Sequence, residues 1–101
     1  MRGLLSVTGT SPQRAAFSPE RAWRLNPLVA LRDESFGALA YHYGNRRLVF
    51  LKSRQLVTLV SSLSAYASAS EAIVACVPEA SRPAYERALA RLAASEVIDA
   101  R

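Results

Sequence analysis

The sequence predicts an α+β fold: a small winged-helix-like domain with a three-stranded antiparallel sheet followed by three helices. Short apolar runs separated by turn residues fill residues 28–52, which is typical of strands. From Leu56 onward the apolar residues follow the period of amphipathic helices instead. Because three strands cannot cover both of their own faces, we expect the helices to pack against one face of the sheet.

The chain is long enough for one domain. It has 101 residues, of which half are hydrophobic, so it can form a core of modest size. Residues 1–22 are rich in Ser, Thr, Gly, Pro and Arg and show no periodicity, so we expect a flexible N-terminal tail before a domain at residues 23–101. With one cysteine, no signal peptide and no apolar run of the roughly 20 residues that span a membrane, the composition fits a cytoplasmic protein.

The first half of the domain reads as three strands. The first is expected at Leu28 to Arg32, the second in "GALAYHY" and the third in "LVFLK" at residues 48–52. The "GNRR" segment between the last two predicts a hairpin turn in which Gly44 takes the positive φ that such turns need. Within the second strand, His42 is expected to be half exposed and to point away from its tyrosine neighbours.

The second half reads as three helices. The first contains Leu56, Leu59, Val60 and Leu63 at helical spacing, with Ser53 as its N-cap. Ser68 and Glu71 form a capping-box pattern that begins the second helix, and Pro78 ends it. The third begins near Ser81, and its apolar stripe is formed by Tyr85, Ala88, Leu89 and Leu92.

No constellation of residues points to catalysis. His42 is the only histidine, and no group of Cys or Asp residues accompanies it to form a metal site. Asp33 and Glu34 are adjacent in a strand and therefore face opposite ways, which makes them a poor acid–base pair. Since glycine-rich phosphate loops are absent as well, the sequence predicts a protein that is not an enzyme and needs no metal or cofactor.

Basic residues suggest binding instead. The net charge is +5, from 13 basic and 8 acidic residues, which favours an acidic partner. Arg46, Arg47, Lys52 and Arg54 bracket "LVFL", and Arg87 and Arg91 share a face of the third helix. A solvated surface is the simplest interpretation of such groups.

Two binding modes remain open. In one, an extended peptide adds as a strand beside residues 48–52. In the other, the third helix enters a DNA major groove and the Arg46–Arg47 turn contacts phosphate. The helix sequence "PAYERALARLAAS" contains no Asn, Gln or Lys to read bases, so we expect nucleic acid to be the less suitable partner.

Several segments also carry a family resemblance. These are "WRL" at 23–25, "VALR" at 29–32, "FGAL" at 36–39, "YHYGNRRL" at 41–48 and "FLK" at 50–52. In them the chain resembles the small peptide chaperones of mycofactocin biosynthesis, which are RiPP recognition elements similar in fold to the chaperone of pyrroloquinoline quinone biosynthesis. The resemblance covers about residues 17–101 and is strongest up to Val60.

The resemblance implies a function and a site. Such chaperones bind the leader of a short, acidic ribosomal precursor peptide and present it to a radical SAM maturase, which decarboxylates the precursor's C-terminal Val-Tyr and later joins the two residues in a ring. The leader docks as an extra strand along the third strand, and the third helix forms the other wall. The implied peptide-binding residues are Arg46, Arg47, Leu48, Val49, Phe50, Leu51, Lys52, Tyr85, Ala88, Leu89 and Leu92, with Arg54, Arg87 and Arg91 as an electrostatic rim.

Overall fold

A computed structural model describes residues 16–101 of the chain. Strands β1 to β4 span Trp23–Leu25, Val29–Glu34, Gly37–His42 and Leu48–Leu51. Helices α1 to α3 span Arg54–Ser62, Ala69–Cys76 and Arg82–Ala94, and short 3₁₀ turns precede α2 and α3. A last strand, β5, spans Ile98–Ala100. The α+β class, the three-stranded antiparallel sheet and the three helices are confirmed.

The three-stranded sheet has the order β2–β3–β4, and both pairs of strands are antiparallel. Val29, Ala38, Ala40 and Leu51 point to one face, where they are buried against the helices. From α1, Leu59 and Val60 enter the same core, while α2 and α3 contribute residues such as Ile73 and Leu89. The sheet is therefore covered on one face only, as three strands followed by three helices require.

A second, two-stranded sheet was not predicted. In it, β1 pairs antiparallel with β5, so that Trp23 lies opposite Ala100 and Leu25 opposite Ile98. Trp23 is buried and its indole N–H donates to the backbone oxygen of Ser18 at 2.9 Å. The segment "SEVIDAR" thus closes the domain against its first strand.

The helices begin where their capping residues predict. The Ser53 hydroxyl accepts from the backbone N–H of Leu56 at 3.0 Å, and the Ser68 hydroxyl accepts from that of Glu71 at 3.1 Å. Each bond satisfies an N–H group that has no partner within its own helix. Pro83 lies in the first turn of α3, where its missing N–H costs nothing.

The turn between β3 and β4 differs from the prediction in its geometry. Arg46, not Gly44, has the positive φ, at 65°. Gly44 is needed for a different reason: a Cβ atom there would lie 2.7 Å from Cε1 of His42. The tight turn packs against the imidazole ring, and only a residue without a side chain leaves room for it.

His42 is buried, with 4% of its surface exposed, and the expectation of a half-exposed residue was wrong. Its Nδ1 accepts from the backbone N–H groups of Gly44 and Asn45, at 2.9 and 3.1 Å. Its Nε2 lies 3.2 Å from the amide nitrogen of Asn26, which also donates to Glu96 O at 3.0 Å. The ring points inward because these polar groups give it partners. Tyr41 and Tyr43 share the opposite face, as predicted, and their rings pack edge to face at 4.9 Å.

The described part of the predicted tail contacts the domain. Phe17 packs on Trp23 with ring centroids 5.1 Å apart. The backbone N–H groups of Ala69 and Ser70 donate to the oxygens of Arg21 and Pro19, respectively, at 2.9 and 2.8 Å. The packing of the domain therefore begins before Trp23, and the rest of the predicted tail lies outside the described residues.

Candidate functional site

Strand β4 has a neighbour on one side only, because β3 pairs with it and no other described strand does. The backbone N–H of His42 donates to the oxygen of Arg47 at 2.9 Å, so at this residue pair the main chains of the two strands face each other. Such pairs alternate along antiparallel strands, so the main-chain groups of Val49 and Leu51 also point to β3. Those of Leu48 and Phe50 point the other way, to the open edge.

The side chains of β4 point alternately to the two faces of the sheet. Leu51 is buried and Val49 is half buried, so both face the helices. Leu48 and Phe50 are 56% and 54% exposed and stand on the outer face of the sheet. Of the four strand residues predicted to contact peptide, two therefore face the helix side and two face outward. Lys52, expected to end the strand, follows it and is exposed.

Helix α3 lies beside this open edge and is tied to it at two points. The hydroxyl of Tyr85 lies 3.0 Å from the hydroxyl of Ser53, just after the strand. At the other end, the side-chain amide of Asn45 donates to the backbone oxygen of Ser95 at 3.5 Å. The strand and the helix thus run in opposite directions, and the predicted peptide cleft is the space between them.

The predicted helix wall divides into two groups. Leu89 and Leu92 are buried in the core, so their side chains leave no surface for a peptide. Tyr85 and Ala88 are half buried and lie on the side of α3 that carries the two contacts with the β4 region. The apolar stripe of α3 therefore serves mainly the core, and its margin borders the cleft.

The predicted basic residues do not all lie at the cleft. Arg46 and Arg47 are exposed in the turn that precedes β4, and Lys52 is exposed after its end. On α3, Arg91 is close in helical angle to Ala88, and it is exposed. These four side chains form no ion pair with another described residue; the ion pairs among residues 16–101 join Arg24 to Asp99 and Arg32 to Glu34.

Arg87 and Arg54 lie apart from that group. Arg87 lines a shallow hollow with Phe17, Pro19 and Glu86 on another side of α3. The guanidinium of Arg54 donates to the backbone oxygen of Glu34 at 3.4 Å, beside the β2–β3 turn. Sequence spacing puts Arg87 and Arg91 on one side of the helix, and Arg91 is the nearer of the two to Ala88 in helical angle.

Three site features were missed by the sequence analysis. The Tyr85–Ser53 and Asn45–Ser95 contacts join residues that are distant in the chain, so no local pattern indicates them. The same holds for Asn26, whose side chain reaches His42 and Asp99. One local signal was available, because Asn before Pro27 commonly begins a turn.

Within residues 16–101 no group of three or more His, Cys, Asp or Glu side chains is placed to hold a metal ion. No helix among them has the length and apolar character needed to cross a membrane.

Comparison with known proteins gives a consistent family. The model of the peptide chaperone MftB family matches residues 22–99. Three curated relatives carry the name peptide chaperone MftB. Those from Mycobacterium ulcerans (strain Agy99) and Mycobacterium tuberculosis (strain ATCC 25618 / H37Rv) are each 42% identical to this chain, covering 97% of it and 94% of their own length. The relative from Mycolicibacterium smegmatis is 40% identical and covers 85% of each chain.

No solved structure gives a significant match. The family match includes every strand of the three-stranded sheet and all of α3, and hence both walls of the cleft. The agreement between the family model and the relatives, over nearly the full chain, settles the assignment: this chain belongs to the peptide chaperone MftB family.

Proposed function

We propose that this peptide chaperone binds the leader of a short, acidic precursor peptide as an added strand along β4 and delivers it to a radical SAM maturase in mycofactocin biosynthesis. The observation that carries the proposal is the open edge of β4, where the main-chain groups of Leu48 and Phe50 have no partner strand among the described residues. An extended peptide supplies those partners, and its alternate side chains enter the cleft in front of α3.

The residues on the two sides of the predicted cleft suit this mode of binding in their chemistry. Val49, Tyr85 and Ala88 are half buried along it and offer apolar contact to every second residue of a guest strand. Arg47 and Arg91 stand on opposite walls, so an acidic peptide between them is attracted from both sides. The short strand of four residues limits pairing with unrelated edges, which protects the free protein from aggregation.

The chaperone acts without chemistry of its own in this proposal. The chaperone holds the leader and contacts the maturase at the same time. The precursor's C-terminus is therefore kept near the enzyme, which raises its effective concentration there. A cytoplasmic location, where precursor and enzyme are synthesised, is part of the proposal.

The proposal is tested by titrating the purified protein with the cognate leader peptide, with a leader of scrambled sequence and with duplex DNA, all at the same ionic strength. We expect saturable binding of the cognate leader, at least tenfold tighter than that of the scrambled one. Equal affinity for the two peptides overturns strand-directed recognition. Tighter binding of DNA than of the leader instead supports the alternative function, that of a winged-helix nucleic-acid-binding protein.

A further inference from the structure

The outer face of the three-stranded sheet is largely apolar, although no described element covers it. Its apolar strand positions are Ala30, Leu39, Tyr41, Leu48 and Phe50, with Tyr43 directly after β3, and its charged positions are Arg32 and Glu34. A sheet face exposed to water normally carries polar side chains at such positions. Most positions of this outer face are apolar instead, and the helices bury only the opposite face.

Exposure of large apolar side chains is concentrated on this face. Of the large hydrophobic residues exposed within residues 16–101, Val74 lies on α2, and the others are Leu28, Phe36, Tyr43, Leu48 and Phe50. These five belong to the sheet or its turns, and the rings of Phe36 and Phe50 pack together at 5.8 Å. Contiguous exposed apolar surface of this kind marks an interaction site in a protein that remains soluble.

The face also has a concave centre. A hollow of about 340 Å³ is lined by residues that include Ala30, Arg32, Leu39, Tyr41, Tyr43 and Leu48. Such a hollow accommodates a protruding apolar side chain, and the residues that dominate protein interfaces typically fill pockets. The shape therefore fits the surface of a folded partner.

The charges around the face select the kind of partner. Glu34 is the acid on this face, and its carboxylate accepts from Arg32 at 2.8 Å, which leaves it no excess negative charge. Lys52 and Arg46 stand at the margin without ion-pair partners among the described residues. A second copy would bring the same basic margin, and its acid on this face would already be paired with Arg32, so self-association is disfavoured relative to an apolar surface with an acidic rim.

We propose that this outer face, centred on the Ala30–Tyr43 hollow, is the surface on which the chaperone docks to its maturase. The inference rests on the proposed function, and it assigns the enzyme and the leader to different sides of β4: the leader pairs with the edge, and the enzyme covers the sheet. A guest strand beside Leu48 and Phe50 extends the same face, because its outward side chains lie level with theirs. The enzyme therefore contacts the chaperone and its bound peptide together.

Such a shared surface couples the two binding events. If the guest strand adds contacts to the enzyme interface, the leader tightens enzyme binding, and the enzyme tightens leader binding by the same factor. The arrangement favours the loaded chaperone over the empty one at the enzyme without a conformational change in the domain.

The test uses three full-length variants, each of which introduces a glutamate at a different exposed position. Tyr43→Glu and Ala30→Glu each place a carboxylate in the lining of the hollow, and Val74→Glu places one at an exposed apolar position on α2 as the matched control. Binding of the purified radical SAM maturase and of the leader peptide is measured separately by calorimetry. We expect both sheet variants to bind the maturase at least tenfold more weakly than Val74→Glu does, with leader affinity within about threefold of the unsubstituted protein.

Each alternative occupant gives a different result. Maturase affinity that is equal in the sheet variants and the Val74→Glu control overturns the proposal. Loss of leader affinity with unchanged enzyme affinity assigns the face to the peptide and also overturns it. An unsubstituted protein that is dimeric by light scattering, becomes monomeric on Tyr43→Glu and keeps its enzyme affinity makes the face a self-interface. If instead the unsubstituted protein binds no leader while Tyr43→Glu still abolishes enzyme binding, the proposed function fails and the docking surface stands.

Discussion

The hydroxyl of Tyr85 in α3 lies 3.0 Å from the hydroxyl of Ser53, the residue that caps α1 and follows the edge strand. The pair joins the two walls of the cleft at one end. Because the Ser53 oxygen also accepts from Leu56 N–H, a single hydroxyl fixes both the start of α1 and the distance of α3 from β4.

This double role predicts unequal costs for two serine substitutions. Ser53→Ala removes a helix cap and the bond to Tyr85, each of which contributes about 1 kcal/mol, so the free energy of unfolding should fall by about 2 kcal/mol. Ser68→Ala is the matched control, because Ser68 caps α2 through its bond with Glu71 N–H. It should cost about 1 kcal/mol. Urea denaturation measures both; equal losses would mean that the Tyr85 bond contributes nothing to stability.

The buried ring of His42 supports the turn that carries the basic residues. His42→Ala removes the acceptor of the Gly44 and Asn45 N–H groups, and we expect the free energy of unfolding to fall by about 2 kcal/mol. His42→Asn should recover part of this loss, since an Asn oxygen can accept from the backbone N–H two residues further on. Thermal and urea unfolding of the two variants provide the comparison. Identical losses would show that ring packing, and not the turn hydrogen bonds, determines the stability.

The positions of the arginine side chains predict which of them speed the association of an acidic peptide. Arg47 precedes the edge strand, whereas Arg87 lines the hollow near Phe17. Arg47→Glu and Arg87→Glu change the net charge equally, but only the first lies directly beside the edge strand. Stopped-flow mixing with an acidic leader at about 0.15 M ionic strength, where the Debye length is about 8 Å, should show association slowed roughly three- to tenfold by Arg47→Glu, with a flatter salt dependence. The change for Arg87→Glu should be within about twofold. The same slowing in both variants would indicate that net charge alone guides the peptide.

Much of the fold follows from local sequence patterns. The strands β2 to β4 and the starts of α1 and α2 were predicted because residue alternation, turn residues and capping serines act over a few positions. The β1–β5 pair was missed because each strand has three residues, too few for a visible period, and the strands pair across the whole domain. Contacts of that separation depend on the complete fold.

The candidate site was predictable to a similar extent. The period of α3 identifies an apolar stripe, but it does not show that Leu89 faces the core while Ala88, its neighbour in the sequence, borders the cleft. That division depends on how the helix is rotated against the sheet. His42 was placed at the surface for the same reason, since its buried partner Asn26 lies on a segment outside its own hairpin.

Residue-resolved amide hydrogen exchange with and without bound leader tests the central claim, strand addition at β4, most directly. The amides of Leu48 and Phe50 point to the open edge, whereas those of Val49 and Leu51 already belong to the ladder with β3. Saturating leader should slow exchange at Leu48 and Phe50 by at least tenfold and change Val49 and Leu51 much less. Uniform slowing along the strand would reflect general stabilisation by a ligand bound elsewhere. Unchanged exchange at Leu48 and Phe50 in the saturated complex would contradict strand addition.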